Sequence, residues 1–180
     1  MIATTRLLLR SWTEADVTPF QQICSDPQVM ATLGPPLDMA ETAALIERVQ
    51  KMELENGHTF WAVERREDAR LIGWCGVIRG DAGPVVGKAE IGWRLAKDCW
   101  GQGFASEAAL ASVNWTFTNL AEEAVWAITS KGNSRSRAVM ERLGMRCHPE
   151  LDFDHPKVPE GDTLRPHVTY SLERSAWQSA

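Results

Sequence analysis

Basic residues and long apolar runs are both scarce in this chain. Its 180 residues include 19 Lys and Arg against 24 Asp and Glu, which gives a net charge of −5. Duplex nucleic-acid binding depends on clustered basic side chains, and a membrane span needs roughly 18 consecutive apolar residues. The first residues also lack the long apolar segment of a signal peptide. We therefore expect a cytoplasmic protein with no nucleic-acid or membrane partner.

Cysteine and tyrosine are scarce as well. The four cysteines, Cys24, Cys75, Cys99 and Cys147, lie far apart and form no CxxC pair. Zinc sites need cysteines and histidines at short, regular spacings, which the four histidines do not provide either. We therefore expect reduced thiols and no metal. A single tyrosine beside eight tryptophans is unusual, and we expect most of the tryptophans in the core or in pocket walls.

The spacing of hydrophobic residues predicts alternating helices and strands in one α/β domain over residues 1–180. Thr13 and Asp16 have the spacing of a capping box and predict a helix over about 14–24. Asp38 is placed to cap a second helix, which ends at Asn56-Gly57. Short β-type runs and further helical patterns follow. The predicted order is β-α-α-β-β-β-α-β-α-β, with strands at 7–9, 60–64, 71–78, 89–95, 125–129 and 167–172 and later helices at 107–113 and 135–143.

The segment most informative about function is Trp100-Gly101-Gln102-Gly103-Phe104-Ala105-Ser106, which joins a predicted strand to a predicted helix. The first turn of a helix has unpaired N–H groups and a partial positive charge, so it binds anions through main chain alone. Glycines let that main chain approach phosphate oxygens closely. A P-loop needs a Lys-Ser or Lys-Thr that is absent here, and serine is a poor third glycine in a dinucleotide-binding fingerprint. The segment predicts a phosphate site, with a purely structural turn as the alternative.

The run from Trp100 to Ala108 resembles the acetyl-CoA signature of the GNAT superfamily, (Q/R)xxGx(G/A), and is most like the WGxGxAxEA run of its RimJ/RimL-type members. The likeness spans about residues 6–174. One departure is Asp98, where the family prefers Gln or Arg. Three other segments resemble the same family: 89–93 its fourth strand, Asn133 with Gly144-Met145 eleven residues later its N…LGF element, and 164–170 its closing strand.

This resemblance implies an α/β fold with a single mixed, mostly antiparallel sheet flanked by helices, in which strands four and five splay apart. Acetyl-CoA is the implied co-substrate. Its pantetheine would enter the gap and pair with the backbone of the fourth strand, as in β-augmentation. The implied cofactor-binding residues are Ile91, Trp93 and Leu95 on that strand, Trp100, Gly101, Gln102, Gly103, Phe104, Ala105 and Ser106 in the turn, and Asn133 and Arg137 after the fifth strand.

The implied reaction transfers an acetyl group from acetyl-CoA directly to a primary amine in a ternary complex. The acceptor would be a protein N-terminal α-amine, a small amine or an amino acid. Glu90 is the candidate base, acting through water, because the amine must lose a proton at neutral pH. A solvated position or an ion pair with Arg94 is the alternative for Glu90.

The candidate acid is Ser136. Met140 occupies the position of the family's usual tyrosine and cannot donate a proton to the leaving sulfur. A non-catalytic acyl-CoA sensor is therefore the alternative function, and two copies of the chain could pair as a homodimer.

Overall fold

The structure is a computed structural model that describes residues 1–177. Residues 178–180, the last of the predicted domain, lie outside the described residues. The described chain forms one nine-stranded sheet with five α-helices, none of them both long and apolar enough to cross a membrane. The helices are α1 (Val17–Cys24), α2 (Pro27–Met30), α3 (Met39–Asn56), α4 (Phe104–Asn119) and α5 (Ser134–Arg142). The strands are β1 (Ile2–Ala3), β2 (Leu7–Arg10), β3 (Phe60–Arg65), β4 (Arg70–Arg79), β5 (Ala89–Leu95), β6 (Ala124–Ser130), β7 (Arg146–Cys147), β8 (Phe153–Asp154) and β9 (Pro166–Glu173).

The strands are hydrogen-bonded in the order β1-β2-β3-β4-β5-β6-β9-β7, and β8 also pairs with β9. Among the described pairs, all are antiparallel except β5 with β6. Within residues 1–177 those two strands pair at one position, Glu90 with Trp126, and separate beyond it. The predicted mixed, mostly antiparallel sheet is therefore confirmed. The predicted splay lies between β5 and β6, which are strands four and five of the sequence prediction.

Helices α1 and α4 cover opposite faces of this sheet. Trp74 and Cys75 are consecutive on β4, so their side chains point to opposite faces. The ring centroid of Trp74 lies 5.3 Å from that of Phe20 on α1, whereas Cys75 Sγ lies 3.7 Å from Ser112 Oγ on α4. The aromatic cluster on the α1 face continues to Phe60, whose ring centroid is 5.0 Å from that of Trp74. Side chains on β5 therefore face either α1 or α4 according to their position.

The predicted helix boundaries are confirmed where the sequence supplies a cap. The Thr13 N–H donates to Asp16 Oδ2 over 2.8 Å, and the Glu41 N–H donates to Asp38 Oδ1 over 2.8 Å. Gly57 ends α3 with a φ of +75°, a conformation that glycine adopts without strain. Because a capping side chain acts within one helical turn, the local sequence was sufficient to predict these boundaries.

Several short elements escape sequence-based prediction. The residues after the first predicted helix, Ser25-Asp26-Pro27, lead directly into α2, where Asp26 Oδ1 accepts from the Gln28 N–H over 2.8 Å. Pro27 fits the first helical position because its missing N–H would be unpaired there. The helix predicted at about 14–24 opens with a 3-10 turn, Glu14–Asp16, before α1. Strands β1, β7 and β8 contain two residues each, too few for a recognisable alternation.

Candidate active site

A cavity of about 780 Å³ opens where β5 and β6 separate. Its walls come from β5, the turn before α4, the start of α5, and α2 with the residues that follow it. Among the predicted site residues, Gln102 and Arg137 do not line it. Those that do are Glu90, Ile91, Trp93, Leu95, Trp100, Gly101, Gly103, Phe104, Ala105, Ser106, Asn133 and Ser136. The structure thus brings most of the predicted residues together, while the role of each stays a prediction.

The glycine turn leads into a helix start whose geometry suits an anion. Gly101 and Gly103 have φ values of +73° and +81°, and Gly103 occupies the N-cap of α4. The Glu107 N–H donates to the Gly103 carbonyl over 3.0 Å, so the N–H groups of the three preceding residues, 104–106, precede the first helical carbonyl–amide bond. A Cβ built on Gly101 would meet no heavy atom of residues 1–177 within 4 Å. The turn therefore leaves open space in front of donors that suit a phosphate.

Arg6 braces this turn from the far end of the sequence. Its Nη1 donates to the Gln102 carbonyl over 2.9 Å, and its Nε pairs with Glu107 Oε2 at 2.6 Å. The guanidinium carbon lies 4.5 Å from the centroid of the Phe104 ring. The Gln102 side chain points back to the Asp98 carbonyl, to which it donates over 2.6 Å. No local sequence pattern marks Arg6, because its contact with the turn depends on how distant segments pack.

Asp98, the departure from the family pattern, is paired outside the cavity. Both of its oxygens accept from the guanidinium of Arg70, at 2.6 Å and 3.1 Å. This hydrogen-bonded pair lowers the pKa of Asp98 below its usual value. The negative charge that the sequence places near the phosphate site is thus balanced by a neighbouring cation.

The backbone of β5 presents alternate residues to the gap. The Gly80 N–H donates to the Lys88 carbonyl and the Ala96 N–H donates to the Ile72 carbonyl, over 2.9 Å and 2.8 Å. Backbone groups of even-numbered residues therefore point towards β4, and those of Ile91, Trp93 and Leu95 point towards β6. The Leu95 carbonyl already accepts from Trp100 Nε1 over 3.0 Å. The backbone N–H and carbonyl of Trp93 are therefore the groups best placed to pair with an extended ligand.

Glu90 is the titratable group most altered by its surroundings in this cavity. Burial raises its pKa to about 7, and the neighbouring charge of Asp81 adds to the effect while Lys157 opposes it. Asp81 and Lys157 form an ion pair with each other. No ion pair joins Glu90 to Arg94 among the described residues. The alternative in which Arg94 neutralises Glu90 is therefore not what the structure shows.

Asn133 serves as the N-cap of α5. Its Oδ1 accepts from the Ser136 N–H over 3.2 Å, and its Nδ2 donates to Thr129 Oγ1 over 3.0 Å. The side chain is 9% exposed and borders the cavity. Any contact with a cofactor would use the second Nδ2 hydrogen or the second lone pair of Oδ1.

The candidate acid, Ser136, lies in the first turn of α5. Ser136 borders the cavity, and its Oγ makes no hydrogen bond within residues 1–177. Met140 lies one turn further along and is 1% exposed, with its side chain also in the cavity wall. The hydroxyl of Ser136 is therefore free to donate into the cavity, whereas Met140 contributes only apolar surface.

Two arginines of α5 have different surroundings. Arg137 Nε donates to Tyr170 Oη over 3.2 Å, and Arg137 does not line the cavity. The guanidinium carbon of Arg135 lies 4.2 Å from the centroid of the Trp100 ring and borders the cavity beside the glycine turn. The sequence alone could not show which of these two arginines borders the cavity, because both follow Asn133 closely. Among residues 1–177, no group of three His, Cys, Asp or Glu side chains is arranged to hold a metal.

A helix start with N–H groups that suit an anion, next to an opened pair of strands, is a site that fits a long, phosphate-bearing ligand. Residues 6–146 match the acetyltransferase (GNAT) domain family. The chain therefore belongs to the GNAT acetyltransferase family, and it is an acetyl-CoA-dependent acetyltransferase. An uncharacterized N-acetyltransferase p20 of Bacillus licheniformis is 30% identical to it over 145 residues, which are 79% of this chain and 80% of that protein.

Two solved structures have the same fold. RimL, a ribosomal L7/L12 α-N-protein acetyltransferase in complex with coenzyme A, matches with a TM-score of 0.77 at 17% identity, over 96% of this chain and 97% of its own. A spermidine N-acetyltransferase from Vibrio cholerae, in complex with CoA and spermine, matches with a TM-score of 0.73 at 18% identity, over 96% and 98%. These likenesses show the fold, while the acceptors of the two proteins are of different chemical classes.

Proposed function

We propose that this enzyme transfers the acetyl group of acetyl-CoA directly to the nitrogen of a primary amine, within a ternary complex. One observation supports the proposal best. The carboxyl group of Glu90 has a pKa of about 7 and borders the same cavity as the opened strand and the glycine turn. The proposal includes a RimJ/RimL-like catalytic domain over residues 1–180. A cytoplasmic location and a homodimer stay predictions from the sequence.

The glycine turn and β5 would hold the co-substrate. The free N–H groups of residues 104–106 suit its pyrophosphate, and Arg135 supplies a cation beside them. The outward backbone groups of Trp93 suit the amides of its pantetheine arm. When bound, acetyl-CoA supplies the thioester whose acetyl carbon the amine attacks and whose sulfur leaves.

Glu90 would accept the proton that the amine must lose, directly or through water. A base with a pKa near the working pH is substantially deprotonated and still takes up a proton readily. A main-chain N–H of β5 that points into the gap would stabilise the negative oxygen that develops in the reaction. Ser136 Oγ or water would return a proton to the leaving sulfur, so each proton has a defined donor and acceptor.

A non-catalytic acyl-CoA sensor is the second candidate, favoured by one observation. Met140 takes the place of the family's tyrosine acid in the cavity wall. A sensor would use the same glycine turn and the same gap between the strands, but it would not release free coenzyme A.

Two measurements separate these functions. A ligand at one hundred times its Kd adds about 2.7 kcal/mol of stability, so either function predicts a clear thermal shift with millimolar acetyl-CoA. The enzyme also predicts release of free thiol when a primary amine is added. A shift without thiol release across a broad amine panel would favour the sensor, and absence of any shift would contradict both functions.

A further inference from the structure

Arg94 is a cation of the cavity that has no anionic partner among the described residues. It lines the cavity, and none of the ion pairs among residues 1–177 includes it. Its Nη1 donates to Cys24 Sγ over 3.0 Å, and its Nε is buried and has no hydrogen-bond partner in the part of the chain that the structure describes. Its guanidinium carbon lies 4.9 Å from the centroid of the Trp74 ring. The charge is therefore fixed in place by a thiol and a ring, and neither of them neutralises it.

Arg94 is half-buried and its Nε is fully buried, so part of this charge is withdrawn from water without compensation. A thiol is a weak acceptor, and burial raises the pKa of the Cys24 thiol, so the sulfur stays uncharged at neutral pH. Charged groups removed from water are normally paired or hydrogen-bonded by strong acceptors. The arrangement resembles a preorganised binding group, whose partner arrives with the ligand.

Arg94 lies on the opposite side of the sheet from the phosphate site. It pairs in register with Trp74 on β4, and residues directly opposite on neighbouring strands share a face. Trp74 faces α1, whereas the glycine turn opens α4 on the other face. Arg94 therefore belongs to the part of the cavity next to α1 and α2, away from the groups that suit the pyrophosphate.

Glu90 and Arg94 share one face of β5, because side chains four residues apart on a strand point the same way. Their Cα atoms are roughly 13 Å apart along the strand. Gly92 lies between them, and a Cβ there would come within 2.9 Å of the Phe60 ring. The base and the cation thus flank an aromatic floor, with space above it inside the cavity.

We propose that Arg94 binds a carboxylate of the acceptor, so that the acceptor is a primary amine that also carries a carboxylate group. The inference rests on the proposed function, because it assigns the amine end of the same molecule to Glu90. A free amino acid and a peptide with an acidic N-terminal residue share this chemistry. A polyamine has no carboxylate. Its positive charges would also meet three arginines, Arg94, Arg135 and Arg142, beside one acid, Glu90, among the described residues that line the cavity.

The test compares acceptors that differ only in the carboxylate. Thiol release from acetyl-CoA is measured with free amino acids, with the matching amino-acid amides, with a peptide amide that has an N-terminal Asp, and with spermidine. The enzyme is used as wild type, Arg94→Gln, Arg94→Lys and Arg48→Gln. The last removes an exposed arginine of α3 that does not line the cavity and matches the change in net charge.

We expect wild type to prefer a free acid over its amide by about tenfold to a hundredfold in kcat/KM, the range of one charge-assisted hydrogen bond. Arg94→Gln should bring the ratio close to one, mainly through KM, while Arg94→Lys keeps part of it and Arg48→Gln keeps all of it. Activity on the Asp peptide amide would identify a side-chain carboxylate as the source. Equal use of acid and amide, preference for spermidine, or an unchanged ratio in Arg94→Gln would overturn the inference.

A binding measurement keeps the inference testable if no amine is turned over. Calorimetry with the coenzyme A complex should show that an N-acetyl amino acid binds more tightly than the same N-acetyl amino acid with its carboxylate converted to an amide. This difference in affinity should be lost in Arg94→Gln. Thermal shifts with coenzyme A establish that the variant is folded. Absence of turnover would count against the proposed function, whereas equal binding of acid and amide would refute the role of Arg94.

Discussion

Replacing Glu90 by glutamine should stabilise the protein relative to wild type, and this stability difference should grow as the pH rises. The carboxyl group has an ordinary pKa of 4.5, and burial raises it to about 7 in the folded protein. Such a group contributes stability that is present below about pH 4.5 and is lost as the pH rises through about 7, because ionisation is then penalised only in the folded state. Glutamine has the same shape and no charge, so the variant avoids this loss.

The size of the effect follows from the two pKa values. The difference between 4.5 and about 7 corresponds to about 3 kcal/mol at 1.36 kcal/mol per pH unit. Water that enters the cavity when the carboxylate forms lowers the measured figure, so about 1 to 3 kcal/mol is expected. Urea unfolding at several values between pH 5 and pH 8 measures it. Glu47→Gln on the exposed face of α3 is the matched control and should show no such trend.

The same variant tests the base. At pH 8 the carboxylate of Glu90 is formed, and its loss should lower kcat/KM by about a hundredfold or more. At pH 5.5 most of the wild-type carboxyl groups are already protonated, so the two proteins should differ much less. A stability difference that stays flat from pH 5 to pH 8 would show that Glu90 ionises normally. Equal rates at pH 8 would remove it from the mechanism even if the stability trend appears.

Three further changes test the rest of the site. Gly101→Ala and Gly57→Ala place side chains at φ values of +73° and +75°, so each should lose about 1–2 kcal/mol of stability. In thermal-shift assays only Gly101→Ala should lose the response to acetyl-CoA, and a lost response in both would argue against the phosphate cradle. Ser136→Ala should lower kcat about tenfold or more in steady-state kinetics if its hydroxyl protonates the sulfur, and an unchanged kcat would leave that step to water. Arg6→Gln breaks the pair with Glu107 and should raise KM for acetyl-CoA, while its exposed position limits the stability loss to about 1 kcal/mol; an unchanged KM would show that the turn holds its shape without the brace.

Local signals in the sequence predicted the fold class and most of the residues that line the cavity around the glycine turn. A cap such as Asp38 acts within one turn, and the glycines at 101 and 103 are needed where the helix starts, so short windows contain this information. The sequence could not show which groups meet across the sheet. The brace by Arg6 joins residues about a hundred positions apart, and Asn133 turned out to cap α5 as well as border the cavity.

The difference between main-chain and side-chain contacts explains why the sequence predicts the family more readily than the acceptor. In the proposed mode of binding, the co-substrate would contact backbone groups of β5 and of the helix start, both of which line the cavity, and backbone needs only glycines and a strand, which leave a recurring pattern in the sequence. In the roles proposed above, the acceptor would be bound by the side chains of Glu90 and Arg94, and each of these is an isolated residue on a strand rather than part of a motif. The sequence suggested only an ion pair with Glu90 for Arg94. Its missing carboxylate partner became visible only when β4 and α1 were in place around it. The proposed chemistry of the acceptor therefore follows from the unpaired charge of Arg94, which the spacing of residues in the sequence cannot reveal.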